Sequence, residues 1–115
     1  MKDEYCYIVM ELLQGGTLKD YISRRKKLSE EEAVRILHHL LIGYRILKNS
    51  GIVHRDLKPD NIMFEVSPEK NFTLPKIIDF GYCKMEAIQP KPRMFYNVGS
   101  PRYMSPEAYM DNLYT

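Results

Sequence analysis

The chain has 115 residues, of which 44% are hydrophobic and 28% charged, and this balance excludes disorder or low complexity for most of its length. Its net charge of +2 is too small to predict nucleic-acid binding, and its apolar runs are too short for a membrane span. Cys6 and Cys83 lack metal-ligand spacing, so we expect an intracellular, cytoplasmic protein, unless the basic run at residues 24–27 is a nuclear signal rather than a solvated helix end.

The first half of the chain predicts one strand and two helices. Residues 5–13 are dense in aromatic and aliphatic side chains and indicate a buried strand, which the glycines at 15–16 end. The segment TLKD at residues 17–20 has the form of a capping box and predicts a helix to about residue 25. A second capping box, SEEE at residues 29–32, begins a long helix with apolar residues at helical spacing, and the NSG of residues 49–51 ends it.

The second half predicts a hairpin, a long loop and a short helix. Residues 61–66 and 76–78 have strand character, and the polar, proline-containing segment 67–75 joins them into a hairpin. No periodicity persists from residue 81 to residue 105, where three prolines would break a helix. A loop this long within a domain is usually functional. A short helix with proline in its first turn is predicted over residues 106–112.

Two polar clusters flank the predicted hairpin. HRDLKPDN occupies residues 54–61 and DFG occupies residues 79–81. The hairpin between them can bring Asn61 and Asp79 together, and amide and carboxylate oxygens are ligands that suit Mg²⁺. Asp56 is then a nearby carboxylate able to accept a proton, and Lys58 supplies a cation for a transferring phosphoryl group. A base, a cation and two metal ligands make up most of a phosphoryl-transfer site.

The order of three motifs, HRDLKPDN, then DFG, then SPE at residues 105–107, resembles that of eukaryotic-type protein kinases. The family usually has alanine where this chain has Ser105. The resemblance covers essentially all 115 residues and implies an α+β, protein-kinase-like fold. Residues 1–16 would be the last small-lobe strand and the hinge, and residues 17–115 part of the mainly helical large lobe with its catalytic hairpin.

The resemblance also implies roles for individual residues. Asp56 resembles the catalytic base, Lys58 the lysine that contacts the transferring phosphate, and Ser100 the residue that hydrogen-bonds to both. Asn61 and Asp79 resemble the ligands of the Mg²⁺ that accompanies ATP. His54 and Phe80 match residues that pack together in the core, where a buried, hydrogen-bonded histidine is the expected structural role.

The segment YIVMELL at residues 7–13 resembles the strand and hinge that bind adenine. In that pattern Met10 is the gatekeeper, and the carbonyl of Glu11 and the N–H of Leu13 bind the purine edge. Met63 would lie under the ring. From the residues alone, the methionine and leucine side chains equally indicate ordinary core.

Lys58 and the segment GSPRY at residues 99–103 resemble serine/threonine kinases more than tyrosine kinases. The same segment resembles autophagy-initiating and related kinases. No serine or threonine occurs from residue 82 to residue 98. In many kinases the arginine matched by Arg55 pairs with a phosphate on this loop. We therefore expect the loop to be ordered without phosphate, or through Tyr96.

The sequence predicts ATP-dependent phosphorylation of serine or threonine in protein substrates. The alternative is a non-catalytic, pseudokinase-like nucleotide-binding or regulatory module, and a small-molecule phosphotransferase ranks last. No Gly-rich phosphate loop precedes Tyr5 in this sequence, so we expect the 115 residues alone to be inactive. The protein substrate and the oligomeric state do not follow from the sequence.

Overall fold

A computed structural model describes residues 5–66, 73–85 and 98–111. In these ranges, two helices are followed by four short antiparallel strands and then by a third helix, which agrees with the predicted α+β class. The helices are α1 (Leu18–Arg25), α2 (Glu30–Asn49) and α3 (Pro106–Asp111), and two 3₁₀ turns cover Pro59–Asn61 and Pro101–Tyr103. The strands are β1 (Ile52–Val53), β2 (Ile62–Val66), β3 (Thr73–Ile77) and β4 (Lys84–Met85).

Both predicted capping boxes are confirmed. At α1, the Thr17 hydroxyl accepts a hydrogen bond from the Asp20 N–H at 3.1 Å and donates one to the Asp20 carboxylate at 2.7 Å. At α2, the Ser29 hydroxyl accepts from the Glu32 N–H at 3.2 Å, and the Glu32 carboxylate accepts from the Ser29 N–H at 3.3 Å. These bonds satisfy backbone donors that a helix start leaves without intrahelical partners. Gly51 ends the long helix with φ of 65°, as predicted.

The predicted hairpin is formed by β2 and β3, which pair antiparallel with Ile62 opposite Ile77 and Phe64 opposite Pro75. The sequence assigned Pro75 to the connecting segment, yet β3 includes it. The reason lies on the other side of β2, where the Phe64 N–H donates to the Gly16 carbonyl and the Phe64 carbonyl accepts from the Gly15 N–H. Phe64 therefore requires no hydrogen bond from Pro75, and proline is tolerated at such a position.

The apolar core lies where α1 and α2 meet the hairpin. Its buried side chains are Leu18, Ile36, Ile62 and Phe64. The rings of Tyr21 and Phe64 are 5.2 Å apart between centroids, so α1 covers one side of β2. This core fixes the hairpin that carries the candidate site at its two ends.

The predicted buried strand at residues 5–13 is wrong. The segment has no regular secondary structure, and Tyr7 and Val9 are 86% and 97% exposed. A strand requires ladder hydrogen bonds to a neighbour, and no described residue forms a backbone hydrogen bond with residues 5–13. A second difference is β4, which pairs with β1 through Ile52–Met85 and Val53–Lys84 inside the region expected to be a loop. Two residues are too few to produce a periodic pattern.

Candidate active site

The turn from β1 to β2 carries the first polar cluster and is built on a backbone that few side chains adopt. Arg55 has φ of 67°, in the left-handed region, and its Nε donates to the Tyr82 carbonyl at 2.6 Å. Strained residues of this kind persist where the surroundings fix them, and they concentrate at functional sites. The turn therefore projects Asp56 inward, where its side chain is buried. The expectation about Tyr96 lies outside the described residues.

His54 is buried and fastens the turn to the end of β3. Its Nε2 lies 3.0 Å from the Ile78 carbonyl, and its Nδ1 lies 3.3 Å from the Asp56 N–H. Because the backbone N–H donates to Nδ1, the proton of this imidazole belongs on Nε2, which donates to Ile78. The His54 and Phe80 rings pack at 5.1 Å between centroids. This is the predicted buried and hydrogen-bonded histidine.

Asp56 and Asn61 form a compact hydrogen-bonded pair. The Asn61 Nδ2 donates to the Asp56 Oδ2 at 3.0 Å and to the Asp56 backbone carbonyl at 2.9 Å. Both side chains are buried. The other carboxylate oxygen, Asp56 Oδ1, has no hydrogen-bond partner among the residues that the structure describes. One oxygen is therefore held in place while the second remains available to an incoming donor.

Lys58 links Asp56 to a residue 42 positions further along the chain. Its Nζ lies 2.8 Å from the Asp56 Oδ2 and 2.8 Å from the Ser100 Oγ. Ser100 immediately precedes the 3₁₀ turn Pro101–Tyr103, so the contact joins the loop before α3 to the first polar cluster. The structure thus brings Asp56, Lys58, Asn61 and Ser100 together.

These contacts set the ionisation of the pair. Burial raises the pKa of Asp56, but the hydrogen bond and charge of Lys58, the nearby Ser100 hydroxyl and the hydrogen bond from Asn61 lower it more, so the pKa lies below its ordinary value. The hydrogen bond to Asp56 and the Asp56 charge hold the pKa of Lys58 above its ordinary value. The pair is a carboxylate and an ammonium at neutral pH.

Asp79 lies just beyond β3 and has φ of 60°, in the left-handed region like Arg55. Its Oδ1 accepts from the Gly81 N–H at 3.1 Å. The preceding residue, Ile78, donates its N–H to the Asn61 carbonyl at 3.0 Å, so the backbones that carry Asn61 and Asp79 are adjacent. Asp79 also contributes to the raised pKa of Lys58, which places its charge within electrostatic reach of the cluster.

The donor set fits Mg²⁺. Because both hydrogen bonds of the Asn61 amide use its nitrogen, its oxygen remains for a cation, and Asp79 retains a carboxylate oxygen beyond the bond to Gly81. Within the described ranges, no group of three or more His, Cys, Asp or Glu side chains could hold a metal. Mg²⁺ often takes only one or two protein ligands and completes its coordination with water and phosphate, so two oxygen donors are an appropriate set.

The residues predicted to bind adenine lie apart from the polar cluster around Asp56. Met10 is exposed, Leu13 is half-buried, and Met63 is half-buried on β2, where it forms a single bridge with Thr17. No described contact joins them to Asp56. Glu11 is tied to the hairpin instead, through a 2.6 Å ion pair with Lys76.

Two long-range ion pairs have no signal in the sequence. Lys76 was not selected as a site residue, and its ion pair with Glu11 spans 65 positions. Lys19 on α1 lies 2.6 Å from Asp60 in the turn before β2, an ion pair that spans 41 positions. Lysine on a helix or strand surface usually indicates solvation, and only the folded arrangement identifies its partner.

Comparison with known proteins decides the family. The sequence model of the protein kinase domain matches residues 1–115. The chain belongs to the protein kinase domain family. This explains why the three motifs occur in their observed order, and it confirms the predicted resemblance and fold class.

Individual relatives of this protein kinase chain are named as serine/threonine kinases. The chain is 39% identical over 111 residues, 96% of its length, to serine/threonine-protein kinase atg1 of Dictyostelium discoideum. It is 42% identical over 107 residues, 92% of its length, to calcium/calmodulin-dependent serine/threonine-protein kinase 1 of Oryza sativa subsp. japonica. It spans only 16% and 17% of these two relatives.

No helix in the described parts of the chain has the combination of length and apolar character that crossing a bilayer requires.

Proposed function

We propose that this kinase chain contributes the catalytic centre of a protein serine/threonine kinase that transfers the γ-phosphoryl group of ATP to protein hydroxyls. The observation that carries the proposal is the buried Asp56 carboxylate. One of its oxygens is held by Lys58 and Asn61, and the other has no hydrogen-bond partner in the described residues. A carboxylate oriented in this way can receive the proton of a substrate hydroxyl.

In this proposal Asp56 is the proton acceptor. Its lowered pKa keeps it ionised at neutral pH. Oδ1 receives the hydroxyl proton as the substrate oxygen forms its bond to the γ-phosphorus, while the bond from that phosphorus to the β,γ-bridging oxygen breaks and ADP leaves. Lys58 carries positive charge beside this position and faces the phosphoryl group, whose negative charge it stabilises. Ser100 holds the Lys58 ammonium at 2.8 Å and so limits the positions that this flexible side chain adopts. The Asn61 amide fixes the Asp56 carboxylate.

Protein kinases as a family use ATP and Mg²⁺. Asn61 and Asp79 would hold the ion through an amide and a carboxylate oxygen, and bound Mg²⁺ supplies charge that neutralises the phosphates. The Glu11 carbonyl and the Leu13 N–H would bind the purine edge, with Met63 below the ring and Met10 as gatekeeper. Residues 1–16 would then contain the hinge that joins the small lobe to the large lobe, and residues 17–115 would be part of the large lobe.

Serine and threonine are the proposed acceptors. The contact between Lys58 and Ser100 supports this choice, because serine/threonine kinases resemble this chain at both positions. The names of the relatives point the same way.

The test is phosphoryl transfer by the purified full-length protein, with γ-labelled ATP, Mg²⁺ and peptides that offer serine, threonine or tyrosine. We expect label on serine or threonine, and we expect Asp56→Asn to abolish transfer without weakening nucleotide binding. Asp20→Asn, which removes a carboxylate charge in the first turn of α1, is the matched control and should retain transfer. Nucleotide binding without transfer by the wild type would favour the regulatory-module alternative.

A further inference from the structure

The segment before the first helix has few attachments to the rest of the protein. Residues 5–14 have no regular secondary structure, and most of their side chains are exposed. The first backbone hydrogen bonds to the hairpin come only at Gly15 and Gly16, which flank Phe64. Within the described ranges, the only hydrogen bond or ion pair that ties residues 5–14 to another element is that of Glu11 with Lys76. In the described residues, the segment is thus attached to the hairpin by this ion pair and by the adjoining backbone bonds at Gly15 and Gly16.

Lys76 occupies the centre of a three-residue charge cluster. Its Nζ lies 2.6 Å from the Glu11 Oε2 and 3.1 Å from the Glu65 Oε2. The Lys76 side chain is 28% exposed, less than either carboxylate, so both acids approach an ammonium that the hairpin partly shields. The hydrogen bond to Glu11, followed by that to Glu65, raises the pKa of Lys76, so this cation persists throughout the neutral range.

The register of the hairpin puts this cluster on a definite face. Lys76 is directly opposite Met63 in the antiparallel pair, and Glu65 is two residues beyond Met63 on the same strand. Cross-strand partners, and residues two apart on one strand, project from the same face of a sheet. Met63, Glu65 and Lys76 therefore share one face, and Glu11 reaches that face from the exposed segment.

We propose that Lys76 is a positioning residue for the nucleotide. By holding the Glu11 side chain on the Met63 face, Lys76 sets the distance from Met63 to the Glu11 carbonyl and to the Leu13 N–H. This inference rests on the proposed function, in which those backbone groups bind the purine edge. Lys76 itself touches no part of the nucleotide. Its loss should weaken binding of the base while leaving the transfer step unchanged.

The effect should be modest, because Glu11 is 60% exposed at its side chain and water competes for the ion pair. Partly exposed pairs of this kind change an equilibrium by about two- to fivefold. Salt should reduce the difference, since the Debye length falls from about 10 Å at 0.1 M to about 3 Å at 1 M. A direct attraction between Lys76 and the phosphates of ATP would also depend on salt, so the experiment must separate the two.

Adenosine carries no phosphate, so its binding separates the positioning effect of Lys76 from a direct attraction between Lys76 and the phosphates of ATP. Its dissociation constant and the KM for ATP are measured on the full-length protein for wild type, Lys76→Met, Glu11→Gln and the double variant. We expect both single changes to weaken the binding of adenosine and of ATP by the same two- to fivefold. The double variant should bind as the worse single variant does, because one contact is lost in all three proteins. Lys76→Arg should restore binding, and kcat should not change.

Arg25→Met is the matched control, because it breaks a 2.9 Å ion pair with Glu32 that does not touch the hairpin. It should leave the dissociation constant of adenosine and the KM for ATP unchanged. Three results would each overturn the positioning role. In Lys76→Met, the KM for ATP could rise while the dissociation constant of adenosine stays unchanged. In Glu11→Gln the KM for ATP could fall, or the losses of affinity in the double variant could be additive. A wild-type protein that binds neither ligand would overturn the proposed function itself, and equal binding by all variants would overturn only this inference.

Discussion

Gly15 is the residue at which the exposed segment, residues 5–14, crosses β2. We expect Gly15→Ala to move this segment away from β2. A Cβ at this position would lie 2.6 Å from both the Cβ and the carbonyl oxygen of Phe64, and 3.0 Å from its carbonyl carbon. The carbonyl atoms belong to the backbone and the Cβ is fixed to it, on a residue that is only 2% exposed, so none can rotate away. The chain must therefore lift from β2. That movement breaks the bond from Gly15 to Phe64 at 2.9 Å and the bond from Phe64 to Gly16 at 3.0 Å.

The expected cost follows from these two bonds. A net contribution of about 0.5–1.5 kcal/mol for each gives about 1–3 kcal/mol, reduced by the roughly 0.4–1 kcal/mol that alanine gains by restricting the unfolded chain. Hydrogen exchange on the full-length protein measures this locally, since about 1.4 kcal/mol is a tenfold change in protection. We expect the Phe64 amide to lose several-fold to about tenfold protection.

Gly43→Ala is the matched control for this prediction. A Cβ at Gly43 would meet only the Ile77 Cδ1, at an ordinary 3.7 Å, and the residue lies inside α2. Alanine in a helix interior is more stable than glycine by about 0.5–1 kcal/mol, so protection of α2 should rise. Unchanged protection at Phe64 in Gly15→Ala would refute the close approach on which the crossing depends.

Three further predictions concern the polar cluster. Ser100→Ala removes a hydroxyl that, with Lys58, lowers the pKa of Asp56 against the effect of burial. The pKa of Asp56 should therefore rise, and the acidic limb of the kcat profile should move to higher pH. Asp79→Asn should leave the melting temperature within about 2 °C, because asparagine tolerates the left-handed backbone, while the Mg²⁺ concentration for half-maximal transfer rises. Asn61→Ala should lower the free energy of unfolding by about 1–3 kcal/mol, measured by urea denaturation, because the buried Asp56 carbonyl loses its donor.

Local signals in the sequence predicted local structure well. The capping boxes at Thr17 and Ser29 and the turn at Gly51 depend on residues within four positions of one another, and all are as expected. The hairpin was also predicted, because β-branched and aromatic residues mark both strands. Pro75 was placed outside β3, since the sequence does not show that Phe64 directs its hydrogen bonds toward Gly15 and Gly16.

Features that depend on distant neighbours were missed or wrong. The apolar pattern of residues 5–13 predicted a buried strand. Burial and strand pairing, however, both require a neighbouring element, and no described residue provides one for this segment. The ion pair of Lys76 with Glu11 has no counterpart in spacing or periodicity for the same reason. The roles of Asp56, Lys58, Asn61, Ser100 and Asp79 stay predictions, although all but Asp79 are joined by hydrogen bonds or an ion pair.

The most direct test is a crystal structure of the full-length protein with Mg²⁺ and a non-hydrolysable ATP analogue. The proposal predicts metal coordination by the Asn61 Oδ1 and by a carboxylate oxygen of Asp79, each about 2.0–2.1 Å from a bound Mg²⁺. It also predicts that the Asp56 Oδ1 faces the terminal phosphate. Nucleotide phosphates bound elsewhere, with Asn61 and Asp79 both remote from the metal, would contradict it.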